Sequence, residues 1–130
     1  MRSANIFSSI PDHLPDELID LLADNGRVRI ERIVSRDHAS PPGFWYDQQE
    51  HEFVLLLQGE AKLELLDPEE HLHLQAGDYL LIPAHRKHRV VWTSSAVDCI
   101  WLAVFYHDQG PLCQDSSHFS PREFALKNQP

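Results

Sequence analysis

The spacing of hydrophobic residues changes near residue 26, so the chain is predicted to contain two kinds of element. Four leucines between residues 14 and 22 recur at helical spacing. Pro15 suits the first turn of a helix, and the Asn25–Gly26 pair is a common stop signal. We therefore predict a helix over residues 15–24 whose apolar stripe packs against a sheet.

Beyond residue 26 apolar and polar residues alternate with the period of two that is typical of β-strands. Residues with turn propensity, such as the Asp67–Glu70 segment, separate the alternating runs. The predicted strands cover residues 28–34, 52–58, 60–66, 71–75, 76–83, 88–94 and 97–106. Short strands at such close spacing predict an all-β sandwich or barrel.

Charge and composition argue against two classes of binding partner, nucleic acids and membranes. The chain has 130 residues, with 11 Lys and Arg against 20 Asp and Glu, and an acidic chain is a poor nucleic-acid binder because phosphate contacts need clustered cations. No run of about 18 apolar residues occurs, so no membrane contact is expected. The amino terminus lacks the apolar core of a signal peptide, and no disulfide framework is expected from the two cysteines. We therefore expect a cytoplasmic protein.

Two spacings carry a resemblance to a known family. Glu52 is followed by six residues and Gly59, while Gly77 is followed by five residues and Pro83, with His88 five residues further on. Together they resemble the two motifs of the cupin family, G-x5-H-x-H-x3-4-E-x6-G and G-x5-P-x-G-x2-H-x3-N, over residues 43–106. The resemblance implies a cupin-like jelly-roll β-barrel.

The periodicity and the resemblance together divide the chain into three predicted segments. The amino-terminal residues 1–26 are the predicted helical segment, which packs on the barrel. The barrel itself spans residues 27–107, and residues 108–130 are predicted to form a short carboxy-terminal tail.

The resemblance further implies a candidate metal site. Cupins usually hold one divalent metal with two histidines and a glutamate from the first motif and a histidine from the second. In this chain Glu52 and His88 fall at the glutamate and the second-motif histidine, whereas Tyr46 and Gln48 replace the two first-motif histidines. The implied ligand set is Gln48, Glu52 and His88, for Mn, Fe, Ni or Zn. A glutamine oxygen is a weaker ligand than an imidazole, and a tyrosine phenol is weaker still unless it ionises.

A ligand pocket is predicted around this set from strand geometry. If residues 46–52 are extended, every second side chain points to one face. Trp92 has the same parity as His88, so it is predicted to point into the barrel and narrow it, whereas His51 has the opposite parity and is predicted to be exposed. His85, in the turn before His88, is placed at the barrel mouth. The predicted pocket residues are Tyr46, Glu50, His85 and Trp92.

Three functions stay open at this point. The first is a metal-dependent cupin of dioxygenase, isomerase or lyase type that binds or transforms a small polar molecule, with no catalytic residue or substrate predicted. The second is a metal-free binding or sensory module, and the third is a structural dimer with a filled pocket. Loss of both first-motif histidines favours the second and third, and retention of Glu52 with His88 favours the first. A homodimer is expected from the resemblance and from apolar outward residues in 88–92 and 100–105.

Overall fold

The computed structural model describes residues 1–108, which contain eight β-strands and no helix. The predicted tail beyond residue 108 lies outside these residues. The strands are β1 (Leu18–Asp24), β2 (Val28–Ser35), β3 (His51–Gln58), β4 (Glu60–Leu65), β5 (Glu70–Gln75), β6 (Tyr79–Ile82), β7 (His88–Thr93) and β8 (Cys99–Tyr106). Since no helix occurs among residues 1–108, none there is long and apolar enough to cross a membrane.

The strands form two antiparallel sheets with the hydrophobic core between them. One sheet has five strands in the order β1-β2-β8-β3-β6, and the other has three in the order β5-β4-β7. Alternate residues of β3, β4 and β8 fill the core, with Leu56, Ala61 and Ala103 fully buried. The all-β architecture and the seven strands predicted from the period of two are confirmed.

The predicted amino-terminal helix is wrong. Residues 18–24 form β1, which pairs with β2 from Leu18 opposite Val34 to Asp24 opposite Arg29. Without β1, the edge of β2 would expose a row of unpaired backbone groups, and pairing there outweighs a local helical preference. A β-bulge between Leu21 and Ala23 interrupts the alternation of β1, and the side chains of Leu21 and Leu22 are both exposed.

Two arginines hold the residues that precede β1. Arg32 is only 7% exposed, and it pairs with Asp20 and donates hydrogen bonds to the carbonyls of Ile6 and Ser8. Arg36 donates to the carbonyls of residues 11 and 12 and pairs with Asp98. Residues 6–12 therefore lie against the outer face of the five-stranded sheet, because the inner face of β2 carries Arg29, Glu31 and Ile33 towards the cavity described below.

Candidate functional site

A cavity of about 550 Å³ opens between the two sheets. Apolar side chains from both sheets line one part of it, including Val54, Leu63 and Trp101. Polar side chains line the rest, and they come from the segment before β1, from β2, from residues 46–52 and from the start of β7. A concave, largely apolar site with a few convergent polar groups is the usual form of a small-molecule pocket.

The three residues predicted as metal ligands converge in this cavity. Glu52 on β3 is 8% exposed and His88 on β7 is 5% exposed. The side-chain amide of Gln48 donates a hydrogen bond of 3.0 Å to Oε1 of Glu52. The Nε2 atom of His88 lies 3.6 Å from the same oxygen. The structure thus brings together a buried carboxylate, an imidazole and an amide, which we call the Glu52 cluster.

The backbone determines which nitrogen of His88 faces the cavity. Its Nδ1 atom lies 2.9 Å from the carbonyl oxygen of Arg86. A carbonyl can only accept, so Nδ1 carries the proton and donates this bond. In the neutral ring Nε2 then has a lone pair, and it faces another acceptor, the Glu52 carboxylate. Two adjacent acceptors require a donor, a proton or a cation between them.

Tyr46 covers His88 from the cavity mouth. The two rings stack with centroids 5.4 Å apart and an interplanar angle of 22°. Two backbone hydrogen bonds, of 2.8 and 3.1 Å, join the same two residues and keep Tyr46 over the ring. Burial raises the pKa of the Tyr46 phenol, and the negative charges of Glu17 and Glu52 raise it further. The phenol therefore stays protonated at neutral pH and is a hydrogen-bond donor, not an anionic metal ligand.

Glu50 and His85, two of the predicted pocket residues, do not line the cavity. The chain bends at residues 49–50, so the extended conformation assumed for residues 46–52 is interrupted, and Glu50 forms a two-bond ion pair with Arg29. The exposed His85 ring donates to Oδ1 of Asp47 at 2.9 Å. His85 has a φ of 64°, a left-handed conformation that explains why the family motif has glycine at this position.

Trp92 points away from the cavity, so its predicted inward orientation is wrong. A β-bulge in the pairing of β4 with β7 places Trp92 opposite Lys62 but Val90 opposite Leu63. The extra residue, Val91, reverses the alternation that relates Trp92 to His88. The indole ring instead lies on the outer surface, 5.3 Å from Nζ of Lys62. The cavity is therefore not filled by this side chain.

His51 is buried, although its parity predicted an exposed side chain. Its Nδ1 atom accepts a hydrogen bond of 2.9 Å from the backbone of Ala84, and its Nε2 atom donates to Asp108 at 2.8 Å. The ring also packs beside Tyr106 at the end of β8. His51 thus joins the start of β3 to two neighbouring segments, and it has a structural role outside the cavity.

Several charged residues of the cavity were not singled out from the sequence. Arg29 and Glu31 alternate along β2 and could have been found from its period of two. Glu17 also lines the cavity, where its carboxylate accepts a hydrogen bond of 2.8 Å from Ser35. The sequence offered no signal for Glu17, because its position follows from the unexpected path of the segment before β1.

The residues present fit a tightly held metal ion poorly. Among residues 1–108 no group of three or more histidine, cysteine, aspartate or glutamate side chains could hold one. Catalytic metal sites usually have three protein ligands, whereas here only Glu52 and His88 are strong donors. Gln48 turns its amide N–H, not its oxygen, towards Glu52.

Comparisons with known proteins agree with the observed fold, a two-sheet barrel with polar side chains in its interior. The family model for the cupin domain matches residues 37–105, more than half of the chain. The chain therefore belongs to the cupin family. No curated protein matches it.

Solved structures show the same fold. A crystal structure from Ralstonia eutropha JMP134, described provisionally as a mannose-6-phosphate isomerase, is 38% identical, with 83% of this chain and 100% of that chain covered and a TM-score of 0.79. A cupin superfamily protein from Desulfitobacterium hafniense DCB-2 is 23% identical, with coverages of 76% and 84% and a TM-score of 0.63. An RmlC-like cupin family protein with a double-stranded β-helix fold from Methanocaldococcus jannaschii is 15% identical, with coverages of 76% and 87% and a TM-score of 0.59. The last two show the fold alone.

Proposed function

We propose that this cupin is a metal-free module that binds a small polar molecule in its barrel. The Glu52 cluster carries the proposal, because its Glu52 and His88 residues are buried and the cluster lines a cavity of about 550 Å³. A buried carboxylate beside an imidazole lone pair is costly unless a donor satisfies both. Gln48 supplies one donor to Glu52, and a bound molecule would supply the donor that Nε2 of His88 lacks.

A metal-dependent cupin is the second candidate, and one observation favours it. Histidines that bind metals usually donate their other ring nitrogen to a carbonyl or carboxylate, as His88 does to Arg86. In this case Glu52 and His88 would hold Mn, Fe, Ni or Zn, and Gln48 would have to turn its oxygen inward. We rank this candidate second because the donor set has only two strong ligands.

The provisional activity of the Ralstonia relative fits this cavity poorly. A sugar phosphate would bring a dianion, which needs cationic groups or exposed backbone N–H groups. Arg29 is the single Lys or Arg side chain that lines the cavity in the described part of the chain, and Glu31 and Glu50 already pair with it. We therefore do not extend phosphosugar isomerisation to this protein.

Elemental mass spectrometry of tag-free protein tests the proposal against the second candidate. Three samples are compared: the wild type, the double variant Glu52→Gln with His88→Ala, and the control Glu69→Gln with His71→Ala. The control removes an exposed carboxylate–imidazole pair of similar separation, 3.0 Å. We expect trace metal in all three samples. Near-stoichiometric Mn, Fe, Ni or Zn that is lost only in the Glu52 and His88 variant would overturn the proposal and establish a metal centre.

Binding itself is tested by thermal melts with a panel of sugars, amines and carboxylic acids. A ligand that raises the melting temperature of the wild type and of the control variant, but not of the Glu52 and His88 variant, supports a pocket at the Glu52 cluster. Equal shifts in all three proteins would place binding elsewhere and contradict the proposal.

A homodimer and a cytoplasmic location remain proposals. Strand β1 is an edge strand of the five-stranded sheet, and its Ile19 and Leu21 side chains are exposed. An apolar edge strand is a favourable surface for pairing with a second copy. Light scattering coupled to size-exclusion chromatography measures the oligomeric state, and a monomer at micromolar concentration would contradict the homodimer.

A further inference from the structure

The charge around the cavity is strongly one-sided. Its lining includes one guanidinium, that of Arg29, against the carboxylates of Asp16, Glu17, Glu31 and Glu52. With neutral histidines this is an excess of three negative charges. Low-dielectric walls concentrate such a field inside a cleft, so the charge of a ligand strongly influences its affinity.

Arg29 is not available to bind an anionic ligand. Its guanidinium bonds to Glu50 through two nitrogens at 3.0 Å each and to Glu31 at 3.1 Å. It also lies over the ring of Phe105, 4.3 Å from the centroid. Its donors therefore point to protein carboxylates, and the charge of Arg29 is cancelled locally.

The polar groups at the Glu52 cluster also require a donor. The His88 side chain is only 6% exposed, and its Nε2 atom makes no hydrogen bond to any residue between 1 and 108. The neighbouring Glu52 oxygen accepts from Gln48 and has a further lone pair. Two acceptors that lie 3.6 Å apart and are accessible from the cavity match a group with several N–H donors and a positive charge.

Aromatic side chains in the cavity also favour an organic cation. Tyr46 and Trp101 line the same cavity as Glu52. Aromatic faces attract organic cations, and the attraction strengthens where water is excluded. A carboxylate beside aromatic rings is thus a suitable environment for a protonated amine with an apolar or polar body.

We propose that the cavity selects small organic molecules that carry a protonated amine. The ammonium group would face the Glu52 carboxylate and Nε2 of His88, and the body of the molecule would lie against Tyr46 and Trp101. This inference rests on the proposed binding function and names its ligand class. It predicts that cations bind, that neutral analogues bind more weakly and that anions are rejected.

Isothermal titration with two matched series tests the charge preference. One series is phenethylamine, 2-phenylethanol and phenylacetate, and the other is mannosamine, mannose and mannose 6-phosphate. The buffer is free of amines, because buffer cations would compete, and it contains EDTA to exclude metal-mediated binding. We expect at least one amine to bind about 100-fold more tightly than the anion of its series, since several carboxylates act on the ligand at short range.

Single-residue variants test which carboxylate is responsible for the preference for cations. Glu52→Gln keeps an acceptor for Gln48 but removes the charge, and it should weaken amine binding at least about tenfold. Glu17→Gln is a second variant that retains an acceptor for Ser35, and it serves if the first does not fold. Glu69→Gln makes the same charge change on the exposed surface, and it should leave the affinity within about twofold.

The outcomes separate this inference from the function on which it rests. Tighter binding of a neutral or anionic member at the Glu52 cluster would overturn the amine preference and leave the binding function intact. Amine binding that Glu69→Gln weakens as much as Glu52→Gln would show a general surface attraction and would also overturn it. No binding by any member at about 10 mM, a concentration at which even very weak complexes form, would contradict both.

Discussion

The tight turn at Gly59 provides a test of the packing between the sheets. Gly59 lies between β3 and β4 with a φ of 92°. A Cβ atom added there would be 2.6 Å from Sγ of Cys99 and 3.0 Å from its Cα. Cys99 is fully buried, so neither atom can move away without disturbing the core. We expect Gly59→Ala to destabilise the barrel through two separable effects.

Each effect has a known scale. A left-handed conformation costs a residue with a Cβ about 1–2 kcal/mol. Forcing a methyl group into a packed core costs about 1–3 kcal/mol more. We therefore expect Gly59→Ala to lower the free energy of unfolding by about 3 kcal/mol, a large part of the roughly 5–15 kcal/mol that holds a domain together.

Gly26 supplies the matched control. It has a similar φ, 86°, but no atom lies within 4 Å of the position that a Cβ would occupy there. Gly26→Ala should therefore show only the conformational cost, about 1–2 kcal/mol. Urea denaturation of both variants measures the difference, and adding Cys99→Ala to Gly59→Ala should make the two changes less than additive. Equal destabilisation by the two glycine variants would refute the steric argument.

Two further predictions concern the outer surface and acid stability. Trp92→Ala should change the affinity for phenethylamine less than about twofold, because the indole lies outside the cavity. Tyr46→Ala should weaken the affinity about tenfold. Similar losses in a titration of both variants would contradict the outward orientation of Trp92. The Arg36 hydrogen bond holds the pKa of Asp98 below its ordinary value of 3.8, so this pair contributes stability above about pH 4 that is lost as the pH falls through the lowered pKa. Asp98→Asn should therefore make stability, measured by urea denaturation, fall less steeply below pH 4, and an unchanged slope would exclude this contribution.

The fold was largely predictable because strand periodicity is local. In β3 to β8 each strand carries its own alternation, and turn-forming residues such as Gly59 and Gly77 separate the strands. The convergence of Glu52 with His88 was predictable only through the spacing of two motifs that resemble a family. Neither periodicity nor composition alone places residues that are 36 positions apart in one cavity.

The errors share a physical origin in tertiary pairing. Residues 18–24 follow β2 instead of forming a helix, because an open sheet edge has backbone groups to satisfy. One bulge beside Trp92 reverses the direction of a large side chain, and one bend turns Glu50 towards Arg29. The bulge shifts the register of β7 by one residue, and a period of two makes such a shift a change of face.

The sequence by itself determined a chain of short strands, an acidic composition and two polar residues, Glu52 and His88, at motif positions. Only the tertiary structure decided which charges meet in the cavity. Arg29 is paired with Glu31 and Glu50, while Glu17 enters from a segment with no strand signal. The contact between Arg29 and Glu50 joins residues 21 positions apart, and its free energy depends on distance and burial, which a linear pattern does not contain.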